Sequence, residues 1–273
     1  MTTPPLVSVA ELATSSHPRV FDTRWYLADH DRGRAEYARG HIPGAVFVDL
    51  ETQLSARRGP GRHPLPSPVR FAATLGRLGV TPESSVVVYD DAGGAIAARM
   101  WWMMRALGHM DVRVLDGGYQ AWTAAGHAVS TDSPTVEPVP YPVLMSDWPL
   151  TVTADEVAAG GRVTLVDARA PERYRGDTEP VDARAGHIPG AVNVPHAANL
   201  DPNGLHLPRD VLADRYAGIG PDPIVYCGSG VTACADILAM ETVGITGVRL
   251  YPGSWSDWSS DPERPVATGD LPG

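Results

Sequence analysis

The sequence predicts two tandem α/β domains, each a mostly parallel sheet with helices on both faces. Three observations carry this. The chain is 273 residues long, which suits two domains of roughly 130 residues better than one. It repeats itself at a nearly constant offset. Within each copy, short β-rich runs alternate with helical patterns, the signature of βα units wound into a parallel sheet.

The repeat is direct. Gly40-His41-Ile42-Pro43-Gly44-Ala45-Val46 recurs as Gly186-His187-Ile188-Pro189-Gly190-Ala191-Val192. Upstream, Val20-Phe21-Asp22-Thr23-Arg24 matches Leu165-Val166-Asp167-Ala168-Arg169, and Ser8-Val9-Ala10-Glu11 matches Thr153-Ala154-Asp155-Glu156. The last pair reads as two helix starts with a Ser or Thr cap and a reciprocal Glu three residues on. Downstream, Val87-Val88-Tyr89-Asp90 aligns with Ile224-Val225-Tyr226-Cys227, and Leu115 to Trp122 aligns with Leu250 to Trp258 across one gap. A period this long is a duplicated domain, not a solenoid repeat. Between the copies, Pro134, Pro138, Pro140 and Pro142 mark a stiff, extended linker. The boundaries expected are 1–129, a linker at 130–145, and 146–273.

Thr164–Asp167, Ile224–Tyr226 and Val248–Leu250 read as buried strands. Phe71–Leu78, Ala95–Leu107 and Ala233–Val243 read as helices. The run Met100-Trp101-Trp102-Met103-Met104 suits core and interdomain contacts better than a cofactor box.

Composition narrows the function. The net charge of −10 argues against nucleic acid, whose phosphates call for a basic face. No apolar stretch approaches about 18 residues, and the first residues lack a basic segment followed by an apolar one, so neither a membrane span nor a signal peptide is expected. Two cysteines do not make a disulfide framework and suit a reducing, cytoplasmic setting with a working thiol. No spacing of metal ligands stands out, and neither a metal nor a cofactor is expected.

The chemistry is expected at Cys227. It ends a strand and opens Cys227-Gly228-Ser229-Gly230-Val231-Thr232, after which a helix begins. In open parallel sheets, sites form beyond the carboxyl ends of strands. Two glycines let the turn curl so that successive N–H groups aim inward, and the helix N-terminus adds unpaired donors and a partial positive charge. Such a cradle, Gly228 to Thr232, favours a thiolate or a persulfide. The alternative, a buried core cysteine at a strand end, does not account for the flanking glycines. Cys234 lies two helical turns on and is expected to pack in the core, as are Trp255 and Trp258 beneath the loop or at its edge. His41 and His187 occur in both copies and are expected to serve the fold.

Taken together, the loop, the duplicated Gly-His-Ile-Pro-Gly-Ala segment and the closing Gly-Ser-Trp-Ser-Asp-Trp resemble the rhodanese family, from about Val7 to Trp258. The loop is most similar to the 3-mercaptopyruvate sulfurtransferase branch. The resemblance implies two rhodanese-like domains with catalysis in the second, and Asp90, standing where Cys227 stands, fits a first domain without its nucleophile. It implies a double displacement: Cys227 takes a sulfur from a small donor, then passes it from a persulfide to a thiol acceptor, such as thioredoxin or a small thiol, or to cyanide. It further implies a relay of Ser229, His63 and an acid. Glu51 falls near the family's acid, with the intervening stretch about one residue longer, and Asp49 is a possible substitute. Arg169 and Arg173 match positions where the family holds the substrate anion, as a guanidinium fork suits, although Arg24 at the equivalent of Arg169 points to a salt bridge instead.

Three rivals remain. A phosphatase of the Cdc25 type needs an Arg closing a longer loop, where this chain has Ala233. Thiosulfate is the alternative main donor; its selective loops tend to carry cations after the Cys, and Gly228, Ser229 and Gly230 carry none. A non-enzymatic sulfur carrier is the alternative of another class, which the intact loop disfavours.

Overall fold

The structure is a computed structural model and describes residues 3–161 and 163–273. The chain forms two compact units. The first holds the chain up to Ala56 together with Pro66–Pro149 and Asp201–His206; the second holds Arg57–Leu65, Leu150–Leu200 and Leu207–Gly273.

In the first unit the elements run β1 (Leu6–Val7), α1 (Val9–Thr14), β2 (Arg19–Asp22), α2 (Arg32–Arg39), β3 (Val46–Phe47), α3 (Pro68–Arg77), β4 (Val86–Tyr89), α4 (Ala97–Ala106), β5 (Val112–Leu115) and α5 (Gly118–Ala124). The strands make one parallel sheet ordered β1-β5-β4-β2-β3. All four residues of β4 are buried, as expected of a central parallel strand covered on both faces. The Met100–Met104 run is buried along α4.

The second unit repeats this with α6 (Ala154–Ala159), β6 (Leu165–Asp167), α7 (Pro171–Arg175), β7 (Ala191–Asn193), α8 (Arg209–Tyr216), β8 (Ile224–Tyr226), α9 (Ala233–Thr242), β9 (Arg249–Leu250) and α10 (Ser254–Trp258). Its parallel sheet runs β7-β6-β8-β9. The counterpart of β1 is reduced to one parallel bridge, Thr151 to Leu250. The α/β architecture with parallel sheets is therefore as expected, with Ile224–Tyr226 unchanged and the other expected strand and helix ends shifted by no more than three residues.

Local chemistry starts the two copies alike. Ser8 and Thr153 each cap a helix: Glu11 N donates to Ser8 Oγ and Ser8 N to the Glu11 carboxylate, with the same exchange between Thr153 and Glu156. Each exchange satisfies two otherwise orphaned amides.

A second shared device ties each copy shut. Asp22 and Asp167 grip Arg24 and Arg169 in forked ion pairs, and each Arg reaches on to the carbonyl of Gly40 or Gly186. The next residues, His41 and His187, stack on Tyr37 and Tyr174 at 3.9 and 3.7 Å between ring centroids. Their backbones pair with Ser130 and Ala267. Both histidines thus serve the fold.

The chain does not divide at a single point. Arg57–Leu65 lies in the second unit although it precedes the linker, and Asp201–His206 lies in the first. The proline-rich segment is laid along the first unit, where Val139 N donates to Gly76 O at 2.9 Å. The first unit continues through Trp148, whose indole N–H donates to Pro66 O at 2.6 Å, past the expected boundary at 145.

Helix α9 carries a buried acid, Asp236. Its Oδ1 accepts from Asn199 Nδ2 at 2.7 Å and lies 2.9 Å from the Tyr216 hydroxyl. Its Oδ2 has no partner among the described residues. Burial pushes this carboxyl up to about 7. The unfolded chain ionises there near pH 4 while the native state stays protonated, so this group costs stability as pH rises from about 4 to about 7 and no further above that. Asp236→Asn keeps the accepting oxygen and removes the titration. In urea unfolding across that range, the variant should gain stability relative to the parent and the gain should level off above about pH 7.

Candidate active site

Strand β8 delivers Cys227 to the carboxyl edge of the sheet, and α9 begins six residues later. Cys227 is buried, 1% exposed. Its amide donates to Ser254 Oγ at 3.1 Å, and its carbonyl accepts from Trp255 N at 3.0 Å. The Gly228 carbonyl accepts from Ser256 N at 3.0 Å. The loop is therefore seated on the start of α10. Ser254 holds this seat in a left-handed conformation, φ +55°, which costs a non-glycine residue of order 1–3 kcal/mol. The equivalent position in the first copy is Gly118, φ +56°. A hydroxyl that accepts from the cysteine amide and donates to Tyr251 O offsets that strain.

Gly230 turns the loop inward. Its φ is +73°, and a Cβ there would overlap the Pro252 carbonyl. Its amide donates to Cys227 Sγ at 3.1 Å. Val231 and Thr232 then lead into α9, their carbonyls accepting from Cys234 N and Ala235 N at 3.1 Å each. Cys234 is buried, with its thiol 3.5 Å from Gly230 O. Trp255 and Trp258 are buried in the core of the second unit.

The first copy shows what such a loop holds. Asp90 occupies the cysteine position and is fully buried. One carboxylate oxygen accepts from Ala92 N and Gly94 N at 2.8 and 2.9 Å; the other accepts from Ile96 N and Ala97 N at 2.7 and 2.8 Å. Four backbone amides converge on an anion at the mouth of α4. The corresponding loop in the second copy is one residue shorter before its helix.

Of the residues expected at the site, Ser229 and His63 meet: His63 Nδ1 lies 2.8 Å from Ser229 Oγ, and both are buried. His63 arrives with Arg57–Leu65, the segment that packs in the second unit. Gly61 in that segment leaves no room for a Cβ against the Gly253 carbonyl, and Arg62 N donates to Ser256 Oγ at 3.0 Å. Glu51 belongs to the first unit, where its Oε1 lies 3.8 Å from His30 Nδ1. Asp49 spends Oδ1 on the amide and hydroxyl of Thr52, both at 2.8 Å.

The two expected arginines part company. Arg169 is buried and committed to Asp167, Gly186 O and, at 3.4 Å, Glu179. Partnership with acids holds its guanidinium charged despite burial. It does what Arg24 does in the other copy. Arg173 is tied to Glu179 at 2.7 Å and Asp182 at 3.0 Å, and its Nη1 stands 3.3 Å from where a Cβ on Gly228 would lie. Arg62 Nη2 stands 2.9 Å from the same point, with its Nη1 on Asp182 Oδ1. The residue pattern did not mark Arg62, Asp182 or Ser254; the one available signal was an arginine directly preceding His63.

This geometry matches known proteins over nearly its whole length. The rhodanese-like domain family matches residues 8–125 and 153–261. The chain belongs to that family. A Mycobacterium tuberculosis H37Rv protein named "Putative thiosulfate sulfurtransferase SseB" is 46% identical over 97% of each chain. A Pseudomonas aeruginosa PAO1 protein named "Probable 3-mercaptopyruvate sulfurtransferase" is 44% identical over 92% of each. Among solved structures, the 3-mercaptopyruvate sulfurtransferase of Leishmania major superposes with a TM-score of 0.83 at 31% identity, covering 93% of this chain and 74% of that one. These names agree with the expected class, sulfurtransferase, and include both candidate donors. No helix among the described residues is long and apolar enough to cross a membrane.

Gly230→Ala tests the loop. The forced φ and the overlap with Pro252 should destabilise the protein by about 2 kcal/mol or more in urea unfolding. Any folded fraction should take up less sulfur at Cys227, read by intact-protein mass.

Proposed function

We propose that this sulfurtransferase takes sulfur preferentially from 3-mercaptopyruvate, holds it as a persulfide on Cys227, and yields it to a thiol. Atom by atom, the Cys227 thiolate attacks the donor's thiol sulfur and an S–S bond forms. The donor's C–S bond breaks, and its electron pair passes to carbon as the enolate of pyruvate. The proton displaced from the donor thiol ends on that carbon. A second thiolate then attacks the outer sulfur, and Cys227 leaves as a thiolate.

The observation that carries the donor preference is the Ser229–His63 contact at 2.8 Å. Cleaving C–S requires a proton to leave sulfur and reach carbon, which a hydroxyl–imidazole pair beside the nucleophile can move. Transfer from thiosulfate expels sulfite directly, needs no such proton, and makes no use of the pair.

The persulfide assignment draws support from Asp90. An aspartate side chain, Cβ–Cγ–Oδ, has the same bond count as a cysteine persulfide, Cβ–Sγ–Sδ. The first copy thus carries, in covalent form, an anion of the reach the second copy acquires on taking up sulfur. Four amides at 2.7–2.9 Å receive it there. The amides of Gly228 to Thr232 are proposed to receive the outer sulfur in the same way, with the N-terminal end of α9 adding favourable potential. Arg173 is proposed to hold the donor carboxylate; Arg169, spent on Asp167 and Gly186, is proposed to hold the loop framework instead.

Cys227→Ser should abolish sulfur uptake, seen as loss of the 32 Da adduct (about one sulfur atom) after incubation with either donor. Ser229→Ala should lower kcat/KM for 3-mercaptopyruvate by about 100-fold and leave thiosulfate transfer within a few-fold. Equal losses for both donors in parallel kinetics would remove the relay from the mechanism.

A further inference from the structure

Two guanidinium groups stand over Gly228, the residue after the nucleophile, and only one of them lies in a pattern that identifies it. Arg62 comes from the short Arg57–Leu65 segment and Arg173 from α7. Asp182, 4% exposed, sits between them, Oδ1 on Arg62 and Oδ2 on Arg173. One carboxylate thus fixes the spacing of two forks, and both forks present a terminal nitrogen toward the same spot, 2.9 and 3.3 Å from a Cβ on Gly228. Glu179 completes the set, pairing with Arg173 on one side and Arg169 on the other.

The charges are matched so that the arginines stay put without being used up. Arg62 is held by one carboxylate oxygen, its side chain keeps 27% of its surface, and its buried Nε has no partner among the described residues. Its Nη2 faces the loop. An arginine built only to close a salt bridge with Asp182 would have no need to stand over a glycine that leaves it room. An alanine at 228 would push both forks away, so the bare Cα keeps the space above the nucleophile's neighbour open and cationic.

We propose that Arg62 is a second anion-binding residue of the site, gripping the acidic end of the sulfur donor together with Arg173, and that Asp182 sets the gap between the two forks. This rests on the sulfurtransferase assignment for its physiological ligand, a small donor with a carboxylate or sulfonate-like end. It does not rest on it for the binding chemistry. Planar forks suit a carboxylate, and a dianion loses more than a monoanion when one positive charge is removed.

The test separates the two. Cys227 is alkylated with iodoacetate and with iodoacetamide, which share size and reacting carbon and differ in a negative charge. In Arg62→Gln the iodoacetate rate should fall on the order of tenfold, the worth of one charge-assisted hydrogen bond, while the iodoacetamide rate holds, which also reports an intact loop. Arg62→Lys should recover part of the difference. In turnover, Arg62→Gln should raise KM with kcat little changed, more for thiosulfate than for 3-mercaptopyruvate. An unchanged ratio of the two alkylation rates in Arg62→Gln overturns the proposal, as does an equal fall in both. If the parent prefers iodoacetate through Arg62 yet takes sulfur from neither donor, the anion site stands and the donor assignment falls.

Discussion

The structure depends on one constraint: backbone amides gathered where a central parallel strand meets a helix must face an anion. A buried N–H without a partner costs as much as a lost hydrogen bond, and four of them pointed at one spot cannot be left to each other. The first copy meets the demand permanently, with Asp90 bonded to Ala92, Gly94, Ile96 and Ala97. The second meets it with sulfur, Gly230 N reaching Cys227 Sγ at 3.1 Å. The same physics that closes the loop in one half shapes its counterpart in the other, and it underlies the persulfide proposed there.

Around that loop the copies share a frame that has nothing to do with chemistry. Asp, Arg and the Gly-His-Ile-Pro-Gly segment make one interlocking unit in each half: the forked Asp–Arg pair, the Arg bond to the glycine carbonyl, and the stacked His. The Ile42 and Ile188 amides donate to the hydroxyls of Tyr89 and Tyr226, which end β4 and β8. The unit thus ties the strands that lead to Asp90 and Cys227 to their neighbours. It is fully built in the copy that carries Asp90 as well as in the one that carries Cys227, which is the physical reason to separate framework from site.

Much of this was legible from residues alone, for identifiable reasons. Duplicated blocks exposed the two copies, Ser8/Glu11 and Thr153/Glu156 announced helix starts by a local mechanism, and Gly230 after Cys227 marked a turn that other residues could not make. What stayed hidden depended on long-range packing. Arg57–Leu65 has no periodicity of its own and precedes the linker, so nothing local says that it packs in the second unit and brings His63 to Ser229. Arg62 and Asp182 are 120 residues apart in the chain, and ordinary charged residues in sequence. Arg169 was marked by a family pattern that does not distinguish a ligand from a framework arginine; its twin Arg24 does.

The proposed division of labour between the copies rests on the energetics of the two loops. A carboxylate that already has four donors gains nothing from binding anything else, so the first loop is closed and contributes rigidity. The Cys227 sulfur accepts from Gly230 N, and the proposed persulfide, longer by one atom, would reach the further amides of that loop. Donors arranged before the charge arrives do not need to reorganise when it does. Among the described residues the Cys227 sulfur accepts from Gly230 N where Asp90 accepts from four amides, and the Cys227 loop is held in place by a strained Ser254 and a glycine that tolerates no side chain. On the proposed mechanism such local cost serves complementarity to the persulfide intermediate instead of to the resting loop.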